Sequence, residues 1–116
     1  MANTWHGRFP YENLRPHGFT GTSPVGTFPA NGFGLFDACG NVWEWTSDLF
    51  HPRPGADHAC CAPTRPASGD AIPERVIKGG SHLCAPSYCL RFRPAARQGE
   101  AIDTSTSHIG FRCVVR

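Results

Sequence analysis

Glycine and proline recur so closely through the first third of this chain that neither a long helix nor a long strand can form there. Residues 16–34, PHGFTGTSPVGTFPANGFG, place one of the two every few positions. Proline brings no backbone donor and glycine loses the most conformational freedom on ordering, so each interrupts regular structure. With 13 glycines and 11 prolines among 116 residues, the chain should be rich in loops. Residues 1–34 show no sustained helical or strand period, yet Trp5, Phe9, Tyr11, Phe19, Phe28 and Phe33 supply apolar anchors, which predicts ordered loop rather than linker.

Beyond that segment the pattern changes. GLFDACGN, residues 34–41, suits one short helical turn closed by Gly40 and Asn41, the residue types that best tolerate a left-handed ending. VWEWTSDLF at 42–50 alternates like a strand, as do RVIKGG at 75–80, YCLRFR at 88–93 and IGFRCVVR at 109–116. Between the first two, HPRPGADHACCAPTRPASGDAIPE reads as a surface loop. No repeat or low-complexity tract interrupts the chain, and its length predicts one domain.

The charge balance excludes several function classes. A net charge of +2 is spread out, and the cluster Arg91, Arg93 and Arg97 is too short for a nucleic-acid footprint. No apolar run approaches the ~18 residues of a membrane span. Met1-Ala2-Asn3-Thr4 lacks the features of a signal peptide, so the expectation is a cytoplasmic protein without nucleic-acid or membrane partners. In a reducing compartment, 6 cysteines point to chemistry or metal binding before structural bridges.

Chemistry concentrates in GGSHLCAPSYC, residues 79–89. Cys84 and Cys89 would lie on opposite faces of a strand and about 140° apart on a helix, so only a turn can join them. Ala85-Pro86-Ser87 supplies one. Two converging thiols can form a disulfide, a redox couple, or a soft site for Cu(I) or part of a zinc site. Tetrahedral zinc needs two further ligands, and the nearest, His82, sits in a cramped loop. Spacing alone leaves these alternatives open.

Four stretches, ANTWHGRFPYEN, GTSPVGTFPANGFGLFDACGNVWEWTSD, RVIKGGSHLCAPSYCLRFRPAARQ and DTSTSHIGFRCVV, together resemble the formylglycine-generating enzymes, or sulfatase-modifying factors. The resemblance covers nearly the whole chain in the family's order, and the GGS-x-x-C-x4-C element matches the family's catalytic signature. It implies an α+β, C-type-lectin-like fold with little regular secondary structure. It also implies an oxidase in which Cys84 and Cys89 hold Cu(I), which captures the cysteine of an unfolded sulfatase polypeptide at a C-x-P-x-R type motif. O2 then takes that cysteine to C-alpha-formylglycine. Soft thiolates suit Cu(I), and two of them leave a position for a third sulfur.

Carried over by position, Ser81 matches a serine near the reactive centre, Tyr88 the tyrosine of the signature, and Trp43 a tryptophan of the active-site cavity. The structural alternatives are a hydroxyl satisfying loop backbone for Ser81 and Tyr88, and core packing for Trp43. The resemblance further implies two calcium sites. One would use Asp37, Gly40, Val42 and Glu44, with a capped turn and a Glu44–arginine pair as its alternative. The other would use Asn3, Thr4, His17 and Phe19, but His17 replaces the family's aspartate and removes the only carboxylate, so Ca2+ is not expected there.

The remaining candidates carry less. Cys60 and Cys61 beside His58 are read as structural, and Cys39 and Cys113 as small buried hydrophobes. The three arginines suit a solvated strand face or pairs with Asp48, while His6, His51 and His108 receive no role.

Residues 1–116 resemble only the C-terminal catalytic portion of the family, whose N-terminal portion is missing. The expected consequence is exposed apolar surface, and the alternatives are a fragment, a split enzyme completed by a companion chain, or a compact variant whose site survives. The competing functions are a non-catalytic C-type-lectin-like binding module, an inactive truncated remnant, or a zinc-stabilised fold using Cys60, Cys61, Cys84 and Cys89.

Overall fold

A computed structural model describes residues 1–51 and 72–115. Its regular structure is one four-stranded sheet, formed by β1 (Trp43–Leu49), β2 (Glu74–Lys78), β3 (Gln98–Ala101) and β4 (Ile109–Gly110) in the order β3-β2-β1-β4. β2 runs antiparallel to both β1 and β3, whereas β4 lies parallel to β1. Irregular pairing between Trp45 and Leu49 breaks the β1–β2 ladder, and the far end of β1 is exposed.

β2 is central, and its adjacent residues Val76 and Ile77 are both buried, one on each face. Trp43 opens β1 and packs with Ile77 and Cys84 in the core, against which Trp45, Cys89, Phe92 and Ile109 also lie. The cysteine loop is therefore one wall of the core.

The loops are joined by hydrogen bonds. Asn41 N–H donates to the Asn3 carbonyl (2.7 Å), Gly40 N–H to Gly79 (2.8 Å), and His82 N–H to Asn41 (2.9 Å). The buried Asn41 side chain accepts from Ser23 N–H at 2.9 Å and donates back to the Ser23 carbonyl at 3.2 Å. Four distant segments thus satisfy each other's polar groups where a sheet would otherwise do so.

Two strand expectations hold and three local ones do not. β1 and β2 lie where alternation placed them. Residues 34–41 form bends rather than a helical turn, because Asp37 (φ 52°), Gly40 (φ 76°) and Asn41 (φ 62°) all take left-handed conformations that a right-handed helix cannot absorb. YCLRFR is a run of turns, with Tyr88 N–H donating to Ala85 and Arg93 N–H to Leu90. The strand beyond it is QGEA, whose composition gives no strand signal and whose backbone is recruited by the β2 edge. The fourth strand shortens to Ile109–Gly110, leaving Cys113 exposed rather than in the core.

Among the described residues there is no helix, so the helical half of the expected α+β class has no element there. None is long and apolar enough to cross a membrane. Cys60, Cys61, His58 and most of the expected 51–74 surface loop lie outside the described residues.

Candidate active site

Two consecutive turns build the site. In the first, Cys84 N–H donates to the Ser81 carbonyl at 2.9 Å, and Ser81 N–H points back at Cys84 Sγ at 3.5 Å. In the second, Cys89 N–H closes on the Ala85 carbonyl at 2.7 Å, folding the chain over Ala85-Pro86-Ser87 so that Cys89 returns to Cys84. Cys89 comes close enough to raise the Cys84 pKa, and both cysteines are free. Cys84 is 4% exposed and Cys89 half-buried against the same core cluster.

Entry into these turns depends on Gly80, whose φ of 69° suits glycine and whose missing Cβ would fall 2.8 Å from the Phe92 backbone nitrogen. Ser81 is fully enclosed at 1% exposure, its Oγ accepting from Leu83 N–H at 3.3 Å. Trp43 lies against Cys84 in the core. Tyr88 departs from that enclosure: it is 58% exposed and stacks on Phe9 with ring centroids 4.7 Å apart.

Burial pushes the Cys84 thiol up to about 11, the Ser81 N–H opposes the shift, and the neighbouring Cys89 reinforces it. Burial, together with His108, lowers the His82 pKa and favours neutral imidazole. No group of three or more His, Cys, Asp or Glu side chains converges as a metal site among the described residues. Among the described residues the paired thiols are a two-ligand donor set of the soft kind that suits Cu(I), while the zinc alternative needs Cys60 and Cys61, which lie outside the described residues.

The calcium positions are arranged differently. Asp37, Val42 and Glu44 line one surface cavity together with Arg112. Arg112 Nε donates to Glu44 Oε2 at 2.6 Å, Nη2 reaches Glu44 Oε1, and the same nitrogen donates to the Phe36 carbonyl at 3.0 Å. Asp37 Oδ2 accepts from Gly26 N–H at 2.8 Å. Hydrogen bonding to Glu44 raises the Arg112 pKa, so the guanidinium stays charged against that carboxylate. In this arrangement Glu44 is paired with Arg112 and Asp37 with the Gly26 N–H, the geometry of the capped-turn alternative.

At the other position, Asn3 spends its amide on the Gly21 carbonyl and Asn41, Thr4 Oγ1 meets His6, and the His17 ring packs edge-on against Phe28. Arg91 and Arg97 bond to Gln98 and the His51 carbonyl instead of Asp48. Residue-by-residue reading missed Phe9 as the partner of Tyr88, since only the folded proximity of residues far apart in sequence reveals it.

The chain matches the Sulfatase-modifying factor enzyme 1-like domain across residues 1–116 and belongs to that family. It is 60% identical over 118 residues to a formylglycine-generating enzyme of Mycobacterium tuberculosis, covering 98% of this chain and 40% of that protein. It is 48% identical over 112 residues to a formylglycine-generating enzyme of Mus musculus, covering 97% of this chain and 29% of the relative. A protein of Mus musculus named inactive C-alpha-formylglycine-generating enzyme 2 is 36% identical over 115 residues, covering 97% of this chain and 32% of its own length. The chain therefore spans well under half of each of these relatives.

Proposed function

We propose that this chain carries the thiol centre of a copper-dependent oxidase that converts a cysteine of an unfolded sulfatase polypeptide to C-alpha-formylglycine. One observation carries the reading: two free cysteines of the signature loop converge, one sealed in the core and one half-open. The names of the relatives support the reaction class.

Cu(I) bound here would supply a soft acceptor for the substrate thiolate and a route for electrons to O2. Cys84 and Cys89 would hold it. Trp43 and the enclosed Ser81 exclude water on the inner side, and the Ser81 N–H orients the Cys84 sulfur. The overall conversion breaks the substrate C–S bond, forms C=O, releases hydrogen sulfide and water, and consumes two electrons from an added thiol reductant.

The test is a C-x-P-x-R peptide incubated with Cu(I)-loaded chain, O2 and a thiol reductant. The expected product has the mass of the aldehyde in place of the thiol. An unchanged peptide would favour a non-catalytic family member, the reading suggested by the relatives named inactive.

Copper affinity should depend on pH in a defined direction. Cys84 keeps its proton up to about 11, so near neutrality metal uptake must expel it. Affinity measured against a competing Cu(I) chelator is expected to rise with pH, about tenfold per unit for each proton released. Without metal the sign reverses. A thiol raised from 9.0 to about 11 stabilises the fold fully below 9.0, and that contribution is lost as pH climbs through 11.

A companion segment is part of the same reading. Phe111 is 75% exposed and Val115 97% exposed, with Phe33 and Val114 also open. Apolar surface of this kind suits the additional polypeptide that the longer relatives possess.

A further inference from the structure

IGFRCVVR alternates like a strand to its end, yet the ladder with β1 stops at Gly110, and among the described residues no loop backbone bond engages 111–115. Such an edge leaves a row of donors and acceptors open to a further strand. The segment is nonetheless held in place. Arg112 Nε donates to Glu44 Oε2 at 2.6 Å and Nη2 to the Phe36 carbonyl at 3.0 Å, so a side chain pins it where backbone pairing does not. Beside it lies a groove of about 330 Å3 with Val25, Leu35, Phe36 and Phe111 as its apolar lining. Asn31 frames the loop on the far side: its Oδ1 accepts from Phe33 N–H at 2.9 Å and from Leu35 N–H at 3.1 Å, and its N–H donates to the Leu35 carbonyl at 2.9 Å. Phe33 is therefore not the anchor its apolar character predicts; 89% exposed, it stands on a frame that the asparagine holds.

We propose that residues 111–115 are an edge strand that receives one uncharged strand of the additional polypeptide the longer relatives possess, with that strand's apolar side chains filling the groove. This inference rests on the companion segment proposed above and names where and how it docks. Pairing follows from the open edge, because an extended chain added there satisfies the donors and acceptors of both strands. Lack of charge follows from the pairs already made in the groove. Arg112 is answered by Glu44, and Asp37 Oδ2 takes the Gly26 N–H, so a charge brought in by the partner would be buried without a counterpart. A strand rich in valine, isoleucine or aromatic residues meets both demands.

The choice of occupant follows from coverage. The match takes in 98% of this chain but 40% of the Mycobacterium tuberculosis relative, so most of what that protein folds together lies outside it. On this side of the contact little ordering is needed, since Arg112 fixes the segment and Asn31 the loop before the partner arrives.

The test co-refolds this chain with the portion of the Mycobacterium tuberculosis relative outside the match, under reducing, copper-free conditions, and reads association by sedimentation and pairing by amide hydrogen exchange. A one-to-one complex is expected, with slowed exchange at 111–115 and slower alkylation of the exposed Cys113. Successive N–H groups of a strand point to opposite edges, so one of the two variants Val114→Pro and Val115→Pro should abolish the complex. Phe111→Ala should weaken it at least about tenfold, while Val114→Ile binds as wild type. All four positions changed are exposed, so the thermal midpoint and Cu(I) retention of each variant alone should stay near wild type. The proposal is overturned by the absence of a complex, by both proline variants binding as wild type, or by protection of 111–115 in the chain alone, which would assign the edge to a second copy. A complex protected elsewhere removes this seat and keeps the companion reading. A complex protected here that leaves the C-x-P-x-R peptide unchanged supports the seat and counts against the oxidase reading alone.

Discussion

Replacing either signature cysteine by serine, Cys84→Ser or Cys89→Ser, is expected to remove Cu(I) retention and peptide oxidation together. Serine keeps the shape of the loop and its turn hydrogen bonds, but a hard hydroxyl oxygen does not replace a thiolate for Cu(I). The remaining thiol would be a single ligand, so retention against a chelator should fall by several orders of magnitude. The two variants should differ in stability. Cys84 sits in the core against Trp43 and Ile77, and a hydroxyl there costs about 1–3 kcal/mol on thermal unfolding. Cys89 is half-buried, so Cys89→Ser should unfold close to wild type and is the cleaner test. Copper held at wild-type affinity by either variant would remove the thiol pair from the proposal.

Gly40→Ala is expected to be the most damaging conservative change to the fold. The residue sits at φ 76°, and an added Cβ would overlap the Asn3 carbonyl, with the carbonyl carbon 3.0 Å away. Left-handed strain costs about 1–2 kcal/mol and forced overpacking a further 1–3. The summed effect, on the order of 3 kcal/mol, should lower the thermal midpoint by roughly 10 °C. Gly32→Ala is the control, because no atom lies within 4 Å of its added Cβ. Should Gly40→Ala melt with the control, the contacts around Asn3 would not be holding the loops together. The substitution should also weaken copper binding, since Gly40 N–H bonds to Gly79 and the Asn41 carbonyl receives His82 N–H at the start of the signature.

Legibility in the sequence followed the kind of force involved. β1 and β2 announce themselves through apolar residues that must be buried, and Trp43, Val76 and Ile77 are. β3 could not be read, because Gln98-Gly99-Glu100-Ala101 becomes a strand only through pairing with β2. Residues 34–41 misled because Gly40 and Asn41 do suit left-handed positions, but Asp37 adopts one as well and no helix precedes them.

At the site, the need for a turn between Cys84 and Cys89 was readable from their spacing, and the structure closes that turn on the Ala85 carbonyl. Spacing left open which chemistry the pair serves, and the family comparison adds only the family and the names of the relatives. The Glu44–Arg112 pair was foreseeable in kind, but its partner lies 68 positions away and no local pattern names it. Phe9 and Tyr88 illustrate the same limit, being joined only across the folded loops.

The hydrogen bonds from Trp5 to Cys84 and from Asn41 to Asn3 have a consequence for how the chain acquires its chemistry. Closing them brings together segments far apart in sequence, and loop-closure entropy must be overcome before these contacts form. The turns that bring Cys89 back to Cys84 are local, but the burial of Cys84 against Trp43 and Ile77 is not, so the environment of the pair depends on distant segments having come together.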